Sequence, residues 1–145
     1  MQLQDLMVEP LPAVADHASL KQAALLMGER DLLVLAVLRG PEIIGTLSQR
    51  DLVTDGCAKG RTPQETSVSE VMTRGVVSCP LDADLGTALS LLEENRAEAL
   101  LVHAASGQVV GLLDRLRLLD ALAHADVEAH GPLPEYVRRV QGNPT

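Results

Sequence analysis

The chain has 145 residues, 46% hydrophobic and 22% charged, ordinary globular usage that excludes a disordered chain and a coiled coil. A chain of this length buries about 68–70% of its extended surface, enough for a core without metals or disulfides, so one domain or two very small ones packed as a unit is expected. Twelve Lys and Arg against twenty Asp and Glu give a net charge of −8, and there is no Trp, no Phe and one Tyr; such a body repels phosphate backbones and offers no stacking platform, so no nucleic-acid partner is expected.

The first ten residues carry Asp5 and Glu9 and no basic stretch, which does not fit a secretory signal. No apolar run approaches the ~20 residues of a membrane span; no membrane partner and a cytoplasmic location are expected. A short strand is predicted at residues 12–14. Ser19 then suits an N-cap, with Leu20, Ala23, Ala24 and Met27 at helical spacing before Gly28 weakens the pattern. Residues 32–38 form a continuous apolar run, as a fully buried strand does. Gly40-Pro41 turns the chain, and residues 43–47 return as the hairpin partner. A helix is predicted over 49–58, with Gly56 a point where it breaks early.

The same order then recurs. Residues 76–79 read as a short strand, and Asp84 caps a helix with Leu85, Ala88, Leu89 and Leu92 on its apolar face. Strands at 99–103 and 109–113 turn through Ser106-Gly107, and a helix follows at 115–123. The repetition is visible residue by residue: Met7 to Leu20 lies over Met72 to Leu85 at an offset of 65, and Gly45 to Leu52 over Gly111 to Leu118 at 66. Two copies of β-α-β-β-α, each too small to stand alone, are expected to pack sheet against sheet about a pseudo-twofold axis, an α+β fold. The divisions are 3–60, a linker at 61–67, 68–124, and a tail at 131–145. In the tail, Gly131-Pro132 ends a helix and Pro134 opens a short one, with Tyr136, Val137 and Val140 on one face, packed on the body or on a second subunit.

Metal and redox signals are weak. Cys57 and Cys79 stand alone, and His17, His103, His124 and His130 form no ligand spacing; two half-buried small hydrophobes and four ordinary histidines are expected, with no metal site. No nucleophile elbow, Walker loop, H-E-x-x-H or glycine-rich fingerprint occurs, so no catalytic residue is assigned and the chain is not expected to be an enzyme.

The order Met-Thr-x-x-Val-Val (Met72 to Val77 in the second copy), then a capped helix, then an apolar hairpin of the kind that ends the first copy in Gly45-Thr46-Leu47-Ser48-Gln49-Arg50-Asp51-Leu52, resembles the cystathionine β-synthase (CBS) domain. Asp5-Leu6-Met7 beside Glu70-Val71-Met72 makes the resemblance one to a tandem CBS pair, or Bateman module, over residues 3–124. The stretch from Asp55 to Ser67 is similar to stand-alone bacterial CBS-pair proteins of the hypoxic-response type. The resemblance implies a regulatory module that senses an adenosine-containing ligand (AMP, ADP, ATP or S-adenosylmethionine) in an inter-repeat cleft and signals to a separate partner protein. No cofactor is required.

Residue by residue, it implies that Ser48 reaches ribose or phosphate, that Asp51 accepts both ribose hydroxyls, and that Val76, Val77 and Ser78 form the adenine slot, with Thr46 beside them. A carboxylate accepts only and a cis-diol donates twice, so the roles are chemically matched. In the second copy Asp114 replaces Ser48 and Arg117 replaces Asp51; that cleft is expected to be empty, or closed by an Asp114–Arg117 pair at i,i+3 spacing. Some members place a base where this chain has Glu98, which disfavours a triphosphate. Simpler readings stand beside these. Ser48 and Asp51 also suit N-cap and first-turn acid, Arg50 a solvated or ion-paired group, and Glu93, Glu94 and Glu98 a wet helix face. The alternative function is a protein–protein interaction module with vestigial clefts. Pairs of this family dimerise through their helices, so a homodimer is expected; Leu116, Leu119, Asp120 and Ala123, flanked by Leu118 and Leu122, suit its seam.

Overall fold

The computed structural model describes residues 1–130. In the first repeat, β1 (Ala13–Ala15), α2 (Leu20–Arg30), β2 (Val34–Arg39), β3 (Glu42–Ser48) and α3 (Gln49–Asp51) follow a short α1 (Leu3–Leu6). In the second, β4 (Thr73–Arg74), β5 (Ser78–Pro80), α4 (Leu85–Asn95), β6 (Ala99–His103), β7 (Val109–Asp114) and α5 (Arg115–His130) complete the order. Each repeat is the expected β-α-β-β-α. The tail helix expected over 131–145 lies outside the described residues.

Local chemistry sets the helix ends. Ser19 Oγ accepts from the Gln22 amide at 3.1 Å while Gln22 Oε1 accepts from Ser19 N at 2.9 Å, a reciprocal capping box. Asp84 Oδ1 accepts from the Thr87 amide at 2.7 Å. That bond holds the Asp84 carboxyl below its usual range. Gly28 does not interrupt α2; the helix ends at Asp31 in the left-handed region (φ 54°), as α4 ends at Arg96 (φ 50°). Leu20, Ala23 and Met27 face the core as expected, whereas Ala24 is exposed. Strand bounds shift by one to two residues at several ends. The first apolar run joins the ladder only from Val34, because Leu32 N donates to Met27 O in the helix exit.

The helix predicted over 49–58 is the main local departure. It is α-helical only through Asp51, widens to a π-helix over Leu52–Gly56, and tightens to a 3-10 turn over Cys57–Lys59. Gly56 does not stop it; it stands at the change in winding with φ −94° and ψ −81°, between the π-helix and the 3-10 turn. Cys57 there is exposed and Cys79 is buried, so neither is half-buried, and burial pushes the Cys79 thiol up.

Two sheets carry the core. One has strand order β1-β2-β3-β4, the other β5-β6-β7. Alternate residues of each central strand face opposite ways. Val34 and Ala36 meet Ala99, Leu101 and Leu112 between the sheets, while Leu35 and Val37 turn to α2 and Leu100 and Val102 to α4 and α5. Buried on both faces, these strands read as unbroken apolar runs, each fully buried leucine contributing about 1.5–3 kcal/mol.

The repeats also exchange their lead-in segments, which the sequence reading did not anticipate. Leu3 and Met7, at the start of repeat one, fill the core of repeat two, and Val8 bridges Leu112 in β7. Reciprocally, Val68, Val71 and Met72 fill the core of repeat one, and β4 pairs with Gly45 and Thr46 in β3. A Cβ on Gly45 would overlap the Thr73 carbonyl, and one on Gly111 would stand 2.8 Å from Val8 O. The matched glycines are therefore the points where one repeat's backbone passes over the other's strand.

Candidate functional site

The exchange brings residues of both repeats to one cavity. It has a volume of about 290 Å³ and is lined by Thr46 and Ser48 from β3, by Asp51 from α3 and by Thr73 through Val77 from the second lead-in. The exit of α4, Asn95 through Ala99, closes a third side. Five of the six expected site residues thus share one cavity. Ser78, the sixth, is exposed in β5 opposite Leu101 and is not part of the lining.

Ser48 and Asp51 sit at the cavity because β3 runs directly into a helix. Ser48 is the N-cap of α3: its Oγ accepts from the Asp51 amide at 3.0 Å, and its own amide donates to Asp51 Oδ2 at 2.9 Å. Both residues are buried. Thr73 Oγ1 donates to the same carboxylate, 3.1 Å from Oδ1 and 3.3 Å from Oδ2. A carboxylate has about four lone-pair positions, and Oδ1 receives only the shared Thr73 hydroxyl, so it retains capacity toward the cavity. Among the described residues, no buried side-chain polar atom lacks a partner.

The cavity is electrically mixed. Asp51 and Glu98 are its acids; Arg74 and Arg96 are its bases. Arg50 reaches from α3 across the repeat boundary to Glu98, Nη1 to Oε1 at 3.5 Å, between largely exposed groups. The ion-pair reading of Arg50 is the one the structure bears out, and an exposed pair of this kind contributes about 0–1 kcal/mol. Thr73, Arg74 and Arg96 were not anticipated in the lining. Arg96 had a signal, since Ala97-Glu98-Ala99 follows a helix at the position matching Leu32-Leu33-Val34, but nothing in the sequence shows that a helix exit meets the other repeat's strand.

The corresponding position in repeat two is built differently. Asp114 Oδ1 caps the Arg117 amide at 2.8 Å, and its Oδ2 pairs with Arg117 Nε at 3.2 Å. Asp114 is buried, so the expected i,i+3 pair forms with its acid end inside. Ser48 and Asp114 both line a lesser hollow of about 120 Å³. A larger hollow of about 740 Å³ lies elsewhere, between Gln2, Gln4, Asp82 and His103. It holds none of the expected residues, and its Gln2, Gln4 and Asp82 are exposed. Among the described residues, no group of three or more His, Cys, Asp or Glu could hold a metal ion, and no helix is long and apolar enough to cross a membrane.

Comparison with known proteins bears on this arrangement. The family model for the CBS domain matches twice, at residues 3–55 and 68–124. Over 110 residues the chain is 29% identical to inosine-5'-monophosphate dehydrogenase of Thermoplasma acidophilum, which covers 76% of this chain and 21% of that enzyme. The chain thus spans about a fifth of that relative's length. Over 134 residues it is 25% identical to hypoxic response protein 1 of Mycobacterium tuberculosis, covering 92% of this chain and 85% of the relative. The crystal structure of a conserved CBS domain protein of unknown function from Thermoplasma acidophilum superposes with a TM-score of 0.74 at 24% identity, over 88% of this chain and 72% of that one.

Proposed function

This chain belongs to the CBS-domain family as a tandem pair, and from that premise we propose that it senses one adenosine-containing ligand in the cavity between its repeats. Pairs of this family are regulatory modules. The observation that carries the ligand reading is that Thr46, Ser48 and Asp51 of one repeat and Val76 and Val77 of the other line a single cavity. In this reading Asp51 accepts from the ribose hydroxyls, Ser48 Oγ stands beside ribose or phosphate, and the two valines cover the base. Ser78 stays outside the contact. Arg74 and Arg96 supply positive charge for one phosphate, while Glu98 opposes a longer anionic tail; AMP and S-adenosylmethionine fit better than ATP. The role is binding rather than catalysis, and a ligand acts by unequal affinity for two arrangements of the repeats.

The change is read by a separate partner protein. A homodimer is part of the proposal: α5 leaves Leu116 and Leu119 outward, 61% and 39% exposed, while Leu118 between them is in the core. A cytoplasmic setting fits two cysteines that are both free.

A thermal-shift panel of AMP, ADP, ATP and S-adenosylmethionine tests the reading on wild type and on Asp51→Ala, each counted from its own baseline. At a hundred times Kd a ligand stabilises by about 2.7 kcal/mol, several degrees for a chain this size. A shift in wild type that is lost in the variant is the expected result. One observation favours a second reading, an interaction module with vestigial clefts: Ser48 and Asp51 already satisfy each other as a capping box. No shift with any of the four compounds selects that reading.

A further inference from the structure

The two crossings of lead-in over hairpin are alike in backbone and unlike in side chain. At one, Val8 N donates to Leu112 O at 2.7 Å and Leu112 N returns to Val8 O at 3.1 Å. At the other, Thr73 stands opposite Thr46, and Gly75 N donates to Ile44 O at 3.0 Å. Among the described residues, only here does a side chain add a fastening, the Thr73 hydroxyl on Asp51. The matching residues in the other crossing are Val8 and Arg117, which have neither the hydroxyl nor the carboxylate. Thr73 and Asp51 both line the cavity. Oδ2 is already held by Ser48 N and the Thr73 hydroxyl is shared between the two oxygens, so only Oδ1 keeps an acceptor site open, one too few for the two donors of an incoming diol.

We propose that Thr73 is a latch: its hydroxyl ties the second lead-in to Asp51, and a ligand hydroxyl that donates to Asp51 from the cavity displaces it and loosens β4 from β3. The release step rests on the ligand reading above; the tie does not. The segment set free is the one that places Val68, Val71 and Met72 in the first core, so occupancy of the cavity is converted into a change in how the repeats hold each other. Linkage fixes the sign. If the ligand opens the latch, a protein whose latch is already open binds that ligand more tightly.

Thr73→Val removes the donor and keeps the shape; Thr73→Ser keeps the donor. Hydrogen exchange on the ligand-free protein gives the first arm. The Gly75 amide is expected to exchange about tenfold faster in Thr73→Val, as losing a bond to a charged acceptor implies, and at the wild-type rate in Thr73→Ser. The Val8 amide stays the same in all three. An unchanged Gly75 rate overturns the latch, whatever the ligand. The second arm titrates AMP and S-adenosylmethionine calorimetrically. At least one is expected to bind Thr73→Val about tenfold more tightly than wild type, with Thr73→Ser restoring the wild-type value. Equal or weaker binding to Thr73→Val makes Thr73 a support for Asp51 and overturns release. Binding of neither compound to any of the three proteins overturns release together with the ligand reading, while the Gly75 arm still decides the tie.

Discussion

Ser48 and Asp51 in one repeat and Asp114 and Arg117 in the other occupy the same turn of the same β-β-α unit. In the first, a neutral hydroxyl caps the helix and the carboxylate three residues on is buried at the cavity, where it takes the Thr73 hydroxyl from the opposite repeat. In the second, the carboxylate is the cap and a guanidinium folds back onto it. Both solve the same problem, orphan amides at a helix start. The first leaves an acceptor turned toward the other repeat, whereas the second spends its acceptor within its own helix. A duplicated scaffold can thus keep one fold while its two equivalent turns differ in charge, because the cap tolerates either polarity.

The two repeats match most closely in their scaffold. Leu35 and Leu100 are equivalent and fully buried, so Leu35→Ala and Leu100→Ala are each expected to cost about 2–5 kcal/mol in denaturant unfolding. A large inequality would mean that the two cores do not carry equal weight.

The glycine crossings come next. Gly45→Ala pushes a methyl into the Thr73 carbonyl, and Gly111→Ala brings one to 2.8 Å from Val8 O and 2.9 Å from the flexible Met7 Sδ. Overpacking of this kind costs about 1–3 kcal/mol, with Gly45→Ala expected to cost more, as measured by urea midpoints. The reverse order would show that β4 yields more easily than the Val8 bridge.

A smaller effect separates the first helices. Ser19 caps α2 with a group that does not titrate, whereas Asp84 caps α4 as a carboxylate held below its ordinary value by the Thr87 amide. A depressed carboxyl contributes stability above its unfolded pKa, and that contribution is lost as pH falls through the folded one. Below about pH 4, exchange at the start of α4 should therefore quicken while α2 is unaffected, and Asp84→Asn should remove the difference. Equal acid sensitivity of both helices would refute the assignment.

The fold was legible where pattern is local. Unbroken apolar runs, the Ser19 and Asp84 caps and the Gly40-Pro41 turn located each repeat's order, and the offset of 65–66 residues gave the tandem arrangement. The lead-in exchange was not legible. Residues 3–8 and 68–74 are too short for periodicity, and their pairing lies across the chain, although Gly45 and Gly111 mark both crossings. The site divided in the same way. Ser48, Asp51 and the valines came from the family resemblance that the motifs carry, and the Asp114–Arg117 pair from i,i+3 spacing. Thr73, Arg74 and Arg96 enter only through the exchange and a helix exit. Ser78 falls outside the lining because β5 pairs with Leu101 at that point.

The two repeats are proposed to be unequal in binding, with one ligand site per chain, built on Asp51. Calorimetric titration of AMP and S-adenosylmethionine into the wild-type protein, with Asp51→Asn and Arg117→Ala alongside, tests it most directly. One ligand bound per chain is expected, lost in Asp51→Asn and unchanged in Arg117→Ala. Two ligands per chain, or binding that survives Asp51→Asn, would contradict it.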